Sequence, residues 1–384
     1  MTKCAELANL IGNINAGGGG VNRNLIINGN CAVSQRGTQS SQSNDHYSAI
    51  DRFEIQVGSS GAVTSTQSTT VPTGEGFNNS LKVDVVTNNG GSEDSGDYLL
   101  IMQKIEGLNL QQLKYGTSSA VPLACSFYVR SNLTGTFQFQ IEVPDSGSYK
   151  YYNKTYTIDS ANTWEKKTIN IIANTNSSAI PDDNTEGLRV QWQLVGGSNY
   201  TSGTYTDGAW HGTGANRMSS SVNNTFARST DNEFLLTGIQ LEVGQNPTEF
   251  EHEPFETTLE KCERYYQKSY IHSEVPGGNY NSGTGTQKGI NIVQSNYNTT
   301  QGQQIYLQQE FRVKMRDAPT IVYYNPYNGN TGKVQHYSSG RSHTVASAFQ
   351  CENGFRIGAT SLDSEGNNNG GDTYSFHFTA DDEL

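Results

Sequence analysis

The stretch Phe234–Gly244, FLLTGIQLEVG, constrains this chain more than any other. Phe234, Leu236, Ile239, Leu241 and Val243 are apolar, with polar or small residues between them. That is the period of a strand with one buried face. The alternation slips by one residue at Gly238, which reads as a bulge or a close backbone approach. Gly244 and Pro247 end the run. We read it as the last strand of a domain. A matching strand is expected at Asn24–Asn30, NLIINGN. The two ends would then pair near each other and close a β-sandwich of about 230 residues.

Between these ends the strand signals recur at fairly regular spacing. They fall at Arg52–Val57, Ser80–Val86, Tyr98–Glu106, Leu123–Arg130, Thr136–Val143, Tyr152–Ile158, Glu165–Ile172 and Leu188–Leu194. Turn residues such as Asn88-Asn89-Gly90-Gly91 separate them. The pattern predicts an all-β chain whose residues 21–251 form a jelly-roll β-sandwich. A second, smaller β-sandwich domain is expected over 268–384, with strands at Ile305–Lys314, Thr320–Tyr324, Val345–Cys351, Gly354–Ala359 and Tyr374–Ala380. A connecting helix is expected over 252–267, where Phe255, Leu259, Cys262 and Tyr266 form one apolar stripe and Thr257-x-x-Glu260 matches a capping box.

Residues 1–20 stand apart. Leu7, Leu10, Ile11 and Ile14 share one face of a short helix, and Gly17–Gly20 follow as a hinge. A helix of two or three turns is marginal alone. The segment is therefore either a frayed terminus or a docking peg on a larger assembly. Leu7–Ile14 is too short and too interrupted to read as a signal peptide.

Composition narrows the function. Only 16% of the residues are charged, and the formal net charge is −12 with no basic stripe. Affinity for a phosphate backbone or an anionic membrane surface is disfavoured. No apolar run approaches the roughly 20 residues that span a bilayer. The five cysteines are far apart, with no CxxC, and read as buried free thiols in a chain made in a reducing cytoplasm.

No GxSxG, HExxH, Walker A or strand–GxGxxG–helix pattern is present, and no enzyme or cofactor is expected. Carboxylate pairs of the glycosidase kind stay open, because the chain has 37 acids and nothing in sequence marks a pair. Sugar binding fits the composition better. Pyranose C–H faces stack on aromatic rings, and amides and hydroxyls meet the sugar hydroxyls. With 21 Tyr, two clusters are candidates. One lies in the Gly196–Arg228 insertion, with Tyr200, Tyr205, Trp210 and His211; the other is Tyr323, Tyr324, Tyr327, His336 and Tyr337. Tyr is also a favoured strand residue, so packing is the competing reading for each, and Trp210 can fold back onto the sandwich.

Three stretches carry a resemblance: NLIINGNCAVSQRG with DRF at Asp51–Phe53, GIQLEVGQNPTEFE at Gly238–Glu251, and CERYYQKSY at Cys262–Tyr270. YLLIMQKIEGLN, LACSFYVRSNLTGTF, TWEKKTINI and the closing FRVKMRDAPT…YSFHFTADDEL extend it. Together they resemble tail-fibre and related virion proteins of bacteriophages, notably marine ones, whose jelly-roll domain is similar to carbohydrate-binding modules. The resemblance implies a non-enzymatic, adhesive homotrimer in the virion tail. It would be held by tail proteins through residues 1–20 and present its β domains to host surface glycan or lipopolysaccharide. It further implies that Leu7, Leu10, Ile11 and Ile14 are an attachment element and that Phe255, Leu259, Cys262 and Tyr266 face a threefold axis. A head fibre, a capsid-decoration protein and a polysaccharide depolymerase are the alternatives. Related carbohydrate-binding modules hold calcium through an acid just after the opening strand. Here Asn28-Gly29-Asn30-Cys31-Ala32 offers none, so no metal is expected.

Overall fold

A computed structural model of the chain describes residues 22–58, 61–144, 149–212, 214–222, 225–278, 292–296, 304–336, 342–360 and 372–384. The expected anchor residues Leu7, Leu10, Ile11 and Ile14, and Tyr337 of the distal cluster, lie outside these. The chain divides into two compact units. The first comprises Met1–Val33, Thr38–Thr258 and Leu384; the second comprises Ser34–Gly37 and Leu259–Glu383.

Unit one is a jelly-roll β-sandwich. Its first sheet runs β1 (Gln39–Gln42), β4 (Ala62–Ser68), β5 (Ser80–Thr87), β13 (Glu233–Val243), β7 (Leu123–Ser131), β10 (Glu165–Ile171). Its second runs β12 (Trp210–His211), β9 (Lys150–Ile158), β8 (Gly135–Val143), β11 (Glu186–Gly196), β6 (Tyr98–Glu106), β3 (Glu54–Val57), β2 (His46–Tyr47). Between the sheets lies one apolar core. Phe127, Phe139 and Trp192 meet edge to face or stacked at 5.6–6.2 Å, and all three are fully buried. Cys31 and Cys125 are buried free thiols, and burial pushes the Cys31 thiol up to about 12. Cys351, expected to be buried, is exposed.

Strand β13 lies at the middle of the first sheet. It pairs β7 along most of its length, with the register shifting between Thr237 and Gln240. Gly238, at φ +60, is the bulge residue. A Cβ there would lie 2.7 Å from the Phe77 ring, so the position needs glycine on both conformational and steric grounds. On its other edge β13 pairs β5 only over Glu233–Leu236.

The expected opening strand corrects here. Residues 24–30 form no strand: an extended start leads into a turn at 27–30, with Asn28 at φ 62 and Cys31, just past it, at φ 56. That turn still closes the sandwich. Leu25 N donates to Leu241 O at 2.8 Å and Ile239 N to Gly29 O at 2.9 Å. The Asn24 amide donates to Ile239 O and accepts from Leu241 N, both at 3.0 Å. An Asn side chain thus does the pairing that a ladder strand was expected to do.

Helix α1 spans Phe255–Glu263, shorter than the stripe predicts. Its first turn bonds to Pro254 O, so Thr257 sits inside the helix and caps nothing. Tyr266 is not helical; it opens β14 (Tyr266–Lys268), which pairs β21 (Asp372–Asp381). Cys262 and Tyr266 are buried, and of the four only Phe255 is exposed. The stripe therefore cannot present all four residues to a threefold axis.

Unit two follows the path β14, β21, β18 (Lys333–His336), β19 (Ser342–Cys351), β20 (Gly354–Thr360), β16 (Gln304–Glu310), with β15 (Ile292–Asn296) and β17 (Thr320–Tyr324) paired to β21. Phe355 of β20 lies 6.1 Å from Phe376 and 4.9 Å from Phe378 of β21. Strands far apart on the path thus share one core, and the sheet folds over on itself into a small sandwich.

Within that unit His377 is buried. Its Nδ1 lies 2.9 Å from the Ser269 hydroxyl and its ring stacks on Tyr270 at 4.2 Å. Burial lowers its pKa from 6.5 to about 4. The unfolded chain then binds the proton more readily than the folded one. The stability held by the neutral ring is complete above pH 6.5 and lost as pH falls toward about 4. The loss in full is about 3 kcal/mol. Denaturation of unit two at pH 7 and pH 5 should show weakening in the parent and a smaller one in His377→Phe.

Candidate functional site

The insertion cluster does not form a platform. Trp210 and His211 make up β12, which adds an edge to the second sheet, with Trp210 opposite Tyr152 and His211 opposite Tyr151. Successive strand residues point to opposite faces, so these two cannot meet one ligand side by side. Trp210 folds back onto the sandwich. Its Nε1 donates to Ile172 O at 2.8 Å, and its ring packs on Tyr115 and Tyr152 at 5.7 and 5.6 Å. His211 Nε2 lies 2.8 Å from the Asn153 amide nitrogen, and burial lowers its pKa. Tyr200 donates to Gly96 O at 3.4 Å beneath the Arg217 guanidinium, which lies 4.4 Å from its ring centre. The Tyr205 hydroxyl reaches Asp207 at 3.4 Å, and burial pushes its pKa up.

The outer face of the second sheet carries a feature that the sequence reading missed. Cross-strand pairing places Gln138, Gln140 and Glu142 of β8 beside Gln193, Gln191 and Arg189 of β11, and Asn153 of β9 beside Gln140. These side chains form a connected network. Gln140 donates to Asn153 at 2.7 Å, Gln193 to Gln140 at 3.3 Å, Gln191 to Glu142 at 3.1 Å, and Arg189 pairs Glu142 at 2.7 Å. Burial raises the Glu142 carboxyl, against the lowering by Arg189. The insertion covers the row. The Arg217 carbonyl accepts from Gln138 and Gln140 at 2.7 and 2.6 Å, and Ser219 N donates to Gln138 at 2.8 Å. The hydrogen-bonding capacity of this face is thus largely satisfied inside the chain. The signal was present: FQFQIEV and RVQWQLV alternate apolar residues with amides.

The distal cluster also corrects. Tyr323 is 7% exposed and packs in the core against Phe355 and Phe376 at 6.0 and 6.5 Å. Tyr324, its neighbour on β17, points the other way and packs edge-on to Tyr270 at 5.9 Å. Tyr327 is exposed in a turn, its N donating to Asn325 Oδ1 at 2.8 Å. His336 is buried, 4.8 Å from Tyr374. The strand period that makes Tyr323 and Tyr324 adjacent in sequence separates them in space.

The exposed aromatic surface of unit two lies elsewhere, on β16, β20 and β19. Gln308 pairs with Arg356, and Arg356 with Phe349, so these three share the outer face. Tyr306 is two residues before Gln308 on the same face. Leu307, Phe355 and Ile357 fill the core side. Tyr306 is 46% exposed and Phe349 is 56% exposed. The Arg356 guanidinium carbon lies 4.7 Å from the Tyr306 ring centre and 4.9 Å from that of Phe349. With Arg356 on the middle strand, the two rings hold it from either side. A groove of about 600 Å³ opens at the Cys351–Gly354 end of these strands, lined by Gln308, Glu310, Phe349, Asn353 and Arg356 and also by Phe311 and Phe355; Tyr306 lies outside its lining. A second, smaller hollow of about 240 Å³ holds Lys268. That ammonium donates to the carbonyls of Gln35, His272 and Glu274 at 2.7–2.8 Å, a structural cap.

No known family model matches the chain, and no curated protein matches it. Among solved structures, it is similar to the enzymatically active domain of tailspike protein 4 of bacteriophage CBA120, at 12% identity and a TM-score of 0.32, over 58% of this chain and 21% of that one. The chain thus spans about a fifth of that tailspike's length. It is also similar to the CBM22-2 xylan-binding domain from Paenibacillus barcinonensis, at 17% identity and a TM-score of 0.27, over 49% of this chain and 91% of that one. A family 11 carbohydrate-binding module from Clostridium thermocellum, solved with a mixed-linked tetrasaccharide, shows 12% identity and a TM-score of 0.26, over 50% and 89%.

The two tyrosine environments differ in what truncation should do. Tyr323→Ala should cost about 3–5 kcal/mol of unfolding free energy, by opening a cavity in a packed core. Tyr306→Ala and Phe349→Ala should stay within about 1 kcal/mol of the parent. Urea melts of the three variants check this. A large loss in Phe349→Ala would mean that the ring is structural.

Proposed function

We propose that the chain is a non-enzymatic tail-fibre protein of a phage virion that adheres to a host surface glycan or lipopolysaccharide through its β domains. The observation that carries the reading is the surface of β16, β20 and β19. The exposed Phe349 ring, the Arg356 guanidinium and several amides line one open groove, and the exposed Tyr306 ring stands beside it against Arg356, a set suited to sugar C–H faces and sugar hydroxyls. Glycoside hydrolysis in its common form needs two carboxyls on opposite sides of the scissile bond. Among the described residues, the larger of the two grooves is lined by one acid, Glu310, and the smaller by one, Glu263, which favours binding over cleavage at these two places. No helix among the described residues is long and apolar enough to cross a membrane.

In this reading the chain works as a homotrimer. Residues 1–20 engage the tail, and three copies of a weak site give the avidity that adhesion needs. Light scattering should return three times the chain mass. Deleting residues 1–16 should leave a folded trimer that no longer joins the particle. Labelled full-length protein should bind host cells, lose binding after periodate oxidation of their sugars, and release no reducing ends. Unchanged binding after periodate would contradict glycan recognition, and release of oligosaccharide would contradict the non-enzymatic role.

A further inference from the structure

We propose that the groove on β16, β20 and β19 takes a glycan bearing a carboxylate, a uronic-acid type of sugar, with Arg356 as the group that selects it. The inference rests on the adhesive reading above and names the ligand class of the same site.

Arg356 stands on the middle strand of an exposed face, held between Tyr306 and Phe349. Among the described residues no carboxylate lies within ion-pair distance of it. Other guanidiniums of the chain are paired: Arg36 with Asp381, Arg130 with Glu233, Arg189 with Glu142 and Arg316 with Asp382. An arginine stacked on aromatic faces has lost much of its conformational freedom, and its planar N–H edge remains available for a two-point contact. That fork matches a carboxylate, and charge-assisted pairs are about twice as strong as neutral ones.

The rest of the lining argues for a sugar rather than a simple anion. Phe349 in the groove and Tyr306 beside it offer apolar ring surface to C–H groups, and Gln308 and Asn353 in the lining suit hydroxyls. Glu310, in the same groove, can accept a hydroxyl proton but repels a second carboxylate. With a net charge of −12, the chain also disfavours a dense polyanion. At physiological ionic strength screening confines that repulsion to about 8 Å. The fitting ligand is therefore one acidic residue within an otherwise neutral glycan.

Calorimetric titration of the full chain with a galactose trisaccharide whose terminal residue is galacturonic acid, and with the all-neutral galactose trisaccharide, tests this. The acidic sugar should bind at least about tenfold tighter, and its affinity should fall with salt. Arg356→Lys keeps the charge and loses the fork, and should weaken the acidic sugar about ten- to a hundredfold and the neutral one by a clearly smaller factor. Equal binding of both sugars would overturn the inference and leave glycan adhesion standing. Binding of neither sugar in this groove, shown by insensitivity to Phe349→Ala, would overturn both. Displacement by inorganic phosphate at equal concentration would mean that the groove takes any anion. A fall in oligomer mass in Phe349→Ala would make this face a contact between copies, and the inference would fall.

Discussion

Strand β13 needs partners for both edges along eleven residues, and no single neighbour supplies them on one side. β5 serves its first four residues; past Gly238 the edge passes to the Asn24–Gly29 turn. A buried backbone group left unpaired there would cost about as much as a lost hydrogen bond. The handover explains why the bulge falls where it does. It rotates the strand so that Ile239 and Leu241 stay in the core while their backbone faces the turn. The sandwich around that strand holds unit one together, and the outer surfaces of each unit are set by its own sheets.

Those surfaces divide by what their polar groups already do. On the second sheet of unit one, amides from β8, β9 and β11 bond to one another and to the insertion lying over them. The aromatic residues of that insertion each serve a local contact, Trp210 with Ile172 and Tyr200 with Arg217. On unit two, the face carrying Tyr306, Arg356 and Phe349 is open, and its cation meets rings where other arginines of the chain meet acids. The proposed recognition surface is the more exposed of the two, with Tyr306 and Phe349 about half open to solvent.

The strands were largely legible because one buried face imposes a period of two. Tyr98–Glu106 and Thr320–Tyr324 match β6 and β17 residue for residue, and Gly238 betrayed its bulge. What failed did so for local reasons. NLIINGN has strand composition, yet Asn24 bonds through its side chain and Asn28 takes a left-handed turn. Edge strands such as Gln39–Gln42 carry no apolar signal, since they bury little. The aromatic site was half visible. Leu307 and Gln309 share one face of β16, which puts Tyr306 on the other. A tyrosine on the solvent side of a well-patterned strand was a better sign of an exposed ring than a run of tyrosines. Phe349 gave less warning, because only the register with Arg356 brings it to the same face.

Hydrogen–deuterium exchange of the full chain with and without bound oligosaccharide tests most directly where recognition occurs. Ligand should slow exchange in peptides covering Gln304–Glu310, Ser342–Cys351 and Gly354–Thr360 and leave the rest unchanged. Protection centred on residues 197–222 and on Gly135–Val143 would contradict the account, because it would place the ligand on the amide row beneath the insertion.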